Sequence, residues 1–466
     1  MSISNLKSQV LCVLCVLCGW TSPSYASDEV PAPPQKHDIV LAGGTVHTMT
    51  GPPQRADVLL RNGKIAAIGT DVSASADAQR IDVTGKQVYP AFIDAATDIG
   101  LTEIGSVRAT RDSSEVGQVN PNARAEVAVN PDSELIPVAR ANGVLLAVTG
   151  PDGGILAGTS ALLQLDGWTW EDMTLRAPVA MELNWPSMAA SRAWWQRDTE
   201  RDQLRQRDER LRQVKQTFDD ARAYLTSKEN ADAANGASNG NGAHGASHQD
   251  FDARWEAMIP LLKGQIPLAV NANELQQIQA AVAFAQQEKV KLVIVGGQDA
   301  PLCADLLKKY DVPVIVTGTQ RLPQRRSSAY DEAYALPARL KELGIRFCIA
   351  GTRSASYARN LPYQAGMAAA FGLDKDDAIK SITLYPAQVL GVADRVGSLE
   401  PGKDATLIVT TGDPLETPTQ VEQAYIQGRK IELTSRHTRL WEKYKQKYHQ
   451  QDGANGGGGQ PAGDAR

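Results

Sequence analysis

From residue 143 to residue 390 the sequence repeats one unit, a short apolar run followed by an amphipathic helix. "GVLLAVTG" (143–150), "APVAMELNW" (177–185) and "IPLAVNA" (266–272) read as buried strands. "KLVIVGG", "VPVIVTG" and "IRFCIAGT" follow, each after a helical stretch. In "NELQQIQAAVAFAQQEK", Leu275, Ile278 and Val282 share one helical face, with Asn273 as its cap. Strands separated by a helix pair in parallel, because a tight hairpin is not available to them. The number of units and their total length favour an α/β fold closed into a (β/α)8 TIM barrel over an open sheet.

Short strands flank this centre. "DIVLAGGTVHTM", "ADVLLRNGKIAAIG" and "RIDVTGKQVYP" precede it, and Asn62-Gly63 between apolar runs marks a hairpin. "GSLEPGKDATLIVTTGDPLE" and "VEQAYIQGRKIEL" follow it. These segments predict a composite β-sandwich domain built from 38–88 and 393–433, around a barrel spanning 89–392. Residues 1–26, with an apolar run and then "SPSYAS", read as an export leader cut after Ala26. A linker (27–37) follows. An insertion (189–250) interrupts the barrel: a densely charged stretch of mixed sign that reads as a solvated helix, then a Gly/Asn/Ala tract. Residues 434–466 read as a polar helix and a flexible tail.

The 466-residue chain is 42% hydrophobic and 22% charged, as a large globular core requires. A formal charge of −5 gives no case for a nucleic-acid partner, and none for a membrane partner once the leader is removed. No later segment is long and apolar enough to span a bilayer. Of five cysteines, three lie in the leader. Cys303 and Cys348, in apolar surroundings, read as buried thiols rather than a disulfide or a metal pair.

"VYPAFIDAATDIG" at the start of the barrel resembles the amidohydrolase motif in which Pro-Gly-Phe-Ile-Asp leads into His-x-His. "GVADRVGSLEPGKDATLIV" (391–409) is similar to that superfamily's return into its β domain. "YARNLPYQAGMAAAFGL" and "DGGILAGTSALLQLDGWTWEDM" resemble its imidazolonepropionase-like branch. The resemblance spans 38–433. It implies a composite β domain on a TIM barrel, oligomers, and hydrolysis of C–N bonds in cyclic amides or peptides. It also implies zinc or another divalent ion, which lowers the pKa of bound water from 15.7 to about 7.

The ligand positions that the resemblance implies hold other residues here. The first-strand histidine pair falls on Ala96 and Asp98, the fifth-strand histidine on Asn271 and the sixth-strand histidine on Gly296. The eighth-strand aspartate falls on Gly351 or Thr352. Glu182 stands near the fourth-strand bridging position. The six histidines (37, 47, 244, 248, 437 and 449) all lie off the barrel strands. No metal is therefore expected. Asp94, Ala96 and Asp98 alternate onto the inward face of a strand, with Asp94 and Asp98 about 13 Å apart along it. Asp94 reads as a structural carboxylate held by hydrogen bonds. Asp98 reads as either a ligand contact or the partner of an arginine.

These observations lead to an exported, periplasmic amidohydrolase-like protein with its metal ligands replaced, which binds a ligand or a partner chain. The alternative is a hydrolase that works through an unconventional carboxylate or weak-metal site, with Asp98 and Glu182 as candidate acid–base groups. The pocket candidates are Asp98, Glu103, Arg108, Asn271, Thr352 and Arg353, with Thr317 beside them. They suit a small polar ligand. Arg108, Arg111 and Arg124 lie in a long excursion (104–143) expected over the barrel mouth; they reach a carboxylate ligand or pair with Asp112, Glu115 or Glu126. The expected partners are a second copy or an intact amidohydrolase.

Overall fold

A computed structural model describes residues 29–191, 195–237 and 250–455. The chain divides into two units, 1–30 and 31–466, and the fold is that of the second. The segment read as a leader (1–26) and the histidines of the Gly/Asn/Ala tract, His244 and His248, lie outside the described residues.

Strands β1 (Ile39–Val46), β2 (Gln54–Arg61), β3 (Lys64–Gly69), β4 (Gln79–Asp82) and β5 (Gln87–Pro90) come from the N-terminal segment. Strands β14 (Leu407–Thr410), β15 (Val421–Ile426) and β16 (Arg429–Ile431) come from the C-terminal one. They form a single hydrogen-bonded sheet in the order β16-β15-β14-β5-β1-β2-β3, with β4 branching from β1. The composite domain is thus one branched sheet. Leu41, Val58, Leu60, Leu407 and Tyr425 fill one face, while Val40 and Leu59 pack on the other. Asn62 and Gly63 both have positive φ (51° and 76°), the geometry of a two-residue hairpin between β2 and β3.

The second sheet runs β6 (Phe92–Thr97), β7 (Val144–Thr149), β8 (Leu156–Gln164), β9 (Thr174–Asn184), β10 (Leu268–Ala272), β11 (Leu292–Gly296), β12 (Val314–Thr317) and β13 (Phe347–Ala350). These eight strands make a nearly closed barrel. Strand β8 departs from the parallel expectation, running antiparallel to both β7 and β9. Too few residues separate these strands for a crossover helix, so hairpin-like returns replace two of the crossovers. At the seam, Asp98 N donates to Arg353 O (3.0 Å) in place of a continuous ladder. Below it, Ser381 O and Ile382 O accept from Ile349 N and Ile93 N (2.9 and 2.8 Å), filling the gap.

Helices α1 (Leu135–Arg140), α2 (Trp170–Met173), α3 (Glu200–Ala237), α4 (Ala253–Leu262), α5 (Leu275–Glu288) and α6 (Ala304–Lys309) precede the last strand pair or lie between its neighbours. Helices α7 (Glu332–Glu342), α8 (Leu361–Ala370), α9 (Lys375–Lys380), α10 (Leu384–Val389) and α11 (Arg436–Asn455) complete the chain. Helix α5 is capped by Glu274, reciprocally with Gln277, and not by Asn273. Helix α3 also departs from expectation. Val214, Thr217, Phe218, Ala221 and Tyr224, spaced by three and four, are buried. Phe218 meets Phe284 of α5 edge-on at 5.0 Å, and Arg222 pairs with Glu288. The charged helix therefore buries one stripe, on which several of its few apolar residues fall.

Candidate functional site

The upper ends of β6, β9 and β10 and the turn after β13 meet at the barrel mouth. Strand β6 does not alternate as the sequence suggests. A register shift between Asp94 and Thr97 turns both Ala95 and Ala96 toward the barrel interior, where they pack with Ala180, Ala269, Cys348 and Ala350. Asp94 is fully buried. Its Oδ1 accepts from Gly351 N (3.0 Å) and Ala96 N (3.3 Å), the structural role expected, while its Oδ2 has no hydrogen-bond partner. Burial pushes its carboxyl up to about 7 against the pull of those two N–H donors.

A polar chain crosses the mouth. Arg353, held at φ 65°, donates from Nη1 to Asn271 Oδ1 (2.5 Å). Asn271 Nδ2 donates to Asn184 Oδ1 (2.7 Å), and Asn184 Nδ2 donates to Gly154 O (2.9 Å) and Asp152 O (3.0 Å). Asp98 departs from the second of its two sequence readings, since a backbone N–H rather than an arginine holds it. Its Oδ1 accepts from Ala355 N (2.6 Å), so the carboxylate anchors the turn that carries Arg353.

Beneath this chain lies a cavity of about 20 Å³, counted as space open to the centre of a water molecule and lined in part by Ala96, Thr97, Gly150, Ser160, Glu182 and Arg353. That is room for a water-sized occupant. Glu182 is 6% exposed, and desolvation pushes its carboxyl up while the Arg353 charge and the Ser160 hydroxyl pull it down. A buried acid with a raised pKa, facing a guanidinium in a cleft, is a candidate for proton transfer.

The structure brings together Ala96, Glu182, Asn271 and Arg353, with Asp98 at the edge. It leaves Glu103 and Arg108 out of this cluster. Glu103 Oε2 accepts from Ser133 Oγ (2.6 Å), and the exposed Arg108 donates to Arg111 O (2.9 Å) within its own loop. Arg124 pairs with Glu126 (2.7 Å), which holds the excursion to itself rather than to a ligand. Thr352 is exposed at the rim and Thr317 half-buried at the end of β12. Asn184 and Ser160 belong to the site but were not singled out from the sequence. Asn184 follows Glu182 by two residues, the strand period, so the signal was present. Ser160 sits on the antiparallel β8, whose direction the sequence does not reveal.

A divalent ion does not fit these residues. Gly296, at φ 102°, places any added Cβ 2.3 Å from Asn273 Oδ1. A Cβ at Gly351 would meet Asp94 Oδ2 at 2.7 Å. Asn271 already offers its oxygen to a guanidinium cation. Among the described residues, no three His, Cys, Asp or Glu side chains gather to hold an ion. His37 pairs with Asp77, His47 stacks on Tyr89 at 4.0 Å, and His437 faces Arg359. His449 lies on α11.

The amidohydrolase family model matches residues 274–430. A curated relative, amidohydrolase tasK of Hapsidospora irregularis, is 22% identical over 181 residues, which are 38% of this chain and 18% of that protein. The chain thus spans less than a fifth of that relative's length. The crystal structure of an amidohydrolase from Thermotoga maritima MSB8 is similar with a TM-score of 0.73 and 25% identity, over 84% of this chain and 99% of that one. Molinate hydrolase shares the fold with a TM-score of 0.51 and 12% identity, over 87% of this chain and 96% of that one.

Proposed function

We propose that this chain, which matches the amidohydrolase family model over 274–430 and shares the amidohydrolase fold, is a degenerate member that binds a small polar ligand at its barrel mouth. The observation that carries this reading is the chain Arg353–Asn271–Asn184, which fixes a guanidinium at the barrel mouth, at the residue where the sequence resemblance would place a metal ligand. A guanidinium supplies positive charge and a fork of N–H donors, which suits a carboxylate. It cannot ionise a bound water, so it holds a carboxylate-bearing amide without hydrolysing it. Residues 1–26, read as a leader, support a periplasmic setting. Pairing with a second copy or an intact homologue belongs to the same proposal.

The test combines metal analysis of the purified protein with calorimetry and turnover assays against dipeptides, N-acylamino acids and cyclic amides. The expected result is no stoichiometric metal, no turnover, and binding of a carboxylate-bearing compound that Arg353→Ala abolishes. Stoichiometric zinc with chelator-sensitive turnover would overturn it. The raised pKa of Glu182 favours one second reading, metal-free acid–base hydrolysis at the same cavity. Turnover that resists chelation and disappears in Glu182→Gln identifies that reading instead.

A further inference from the structure

Helix α11 carries a surface that the barrel does not use. Its 20 residues extend about 30 Å. The first turn is tied down, with Arg439 paired to Glu134, the residue before α1 (3.1 Å), and His437 facing Arg359. Beyond that turn Leu440, Trp441, Tyr444 and Tyr448 recur at three- and four-residue spacing and lie on one face. All four are exposed, Trp441 at 60% and Tyr448 at 61%. Lysines flank the stripe on both sides. Lys445 sits over the Trp441 ring (4.6 Å), and Lys447 lies near the rings of Tyr444 and Tyr448 (5.9 and 5.8 Å). None of Lys443, Lys445 and Lys447 forms an ion pair with a described acidic residue.

Charge says what covers this face. From Arg436 to Gln450 the helix holds five Lys or Arg residues against the single acid Glu442, in a chain whose net charge is −5. The rest of the protein therefore repels an anionic partner while this one helix attracts it. Trp and Tyr rings with lysine stems are the side chains that settle at the boundary between lipid headgroups and acyl chains. No described helix is long and apolar enough to cross a membrane, so α11 lies on such a surface rather than through it. We propose that α11 docks the protein onto an anionic phospholipid surface, aromatic stripe inward and lysines on the headgroup phosphates. The mild overall charge had argued against a membrane partner, but an average over the chain conceals a segment of opposite sign.

The experiment is co-sedimentation of the full chain with vesicles of phosphatidylcholine alone and of phosphatidylcholine mixed with phosphatidylglycerol. The expected result is binding to the mixed vesicles that falls with added salt. Charge reversal (Lys443→Glu, Lys445→Glu, Lys447→Glu) should weaken it by roughly tenfold or more. Replacing the stripe (Trp441→Ser, Tyr444→Ser, Tyr448→Ser) should weaken it with an unchanged melting temperature, because these side chains are exposed. Binding that survives both sets, or that is equal on neutral vesicles, overturns the proposal. So does sedimentation equilibrium showing a dimer that the stripe variant dissolves, which would assign the face to a second copy.

Discussion

At the scale of single residues, one barrel position ionises late and another has no room for a side chain. Burial makes Asp94 harder to ionise. Its carboxyl sits at about 7 when folded against 3.8 for the unperturbed group. As pH rises between these values the unfolded chain releases a proton that the folded one retains, so stability falls across that window and levels off above it. Asp94→Asn removes this dependence. Denaturant unfolding from pH 4 to 7 should show the variant gaining on the parent by on the order of 4 kcal/mol. A gap that stays constant with pH would refute the assignment. Gly296 is the second case. Gly296→Ala should cost about 1–3 kcal/mol, since it meets both a left-handed backbone and the Asn273 side chain. Adding Asn273→Ala should recover only the steric part.

Among elements, β8 decides the shape of the mouth. It runs against its neighbours and takes the excursion along its edge through bridges Val119↔Leu156 and Arg124↔Thr159. Gly158, at φ 130°, permits this contact, because a Cβ there would lie 2.4 Å from Ala123 O. Gly158→Ala should therefore release the excursion, at a cost of about 1–3 kcal/mol. Limited trypsin digestion reads the outcome as faster cleavage at Arg108, Arg111 and Arg124; an unchanged rate would show that the loop is held elsewhere. Helix α5 shows how close a sequence reading comes and where it slips. Its buried face was legible from periodicity, but its cap was displaced by one residue, since Asn273 and Glu274 both suit that role and only the reciprocal bond to Gln277 selects between them.

Across the whole molecule, one buried aspartate joins the parts. Asp166, beyond β8, accepts from Arg140 of the barrel (3.0 Å), Arg429 of β16 (2.6 Å) and Ala32 N (3.2 Å). Removing it takes the shared carboxylate away from two guanidinium groups that are largely shielded from water. Asp166→Ala should lower stability by roughly 3–5 kcal/mol, with both sheets melting together at a lower temperature. A separate early transition of the composite sheet would show that this link is dispensable. The sequence by itself determined the strand-and-helix order outside β8, the hairpin at Asn62-Gly63 and the want of imidazoles on the barrel strands it identified. These are local facts, written in periodicity, backbone preference and composition. The tertiary structure alone decided the direction of β8, the turn of Ala95 into the interior, the buried stripe of α3 and the pairing of Arg353 with Asn271. Each depends on which distant segments become neighbours when the barrel closes, and residues 82 positions apart carry no mark of their pairing until the chain has paid the entropy of bringing them together.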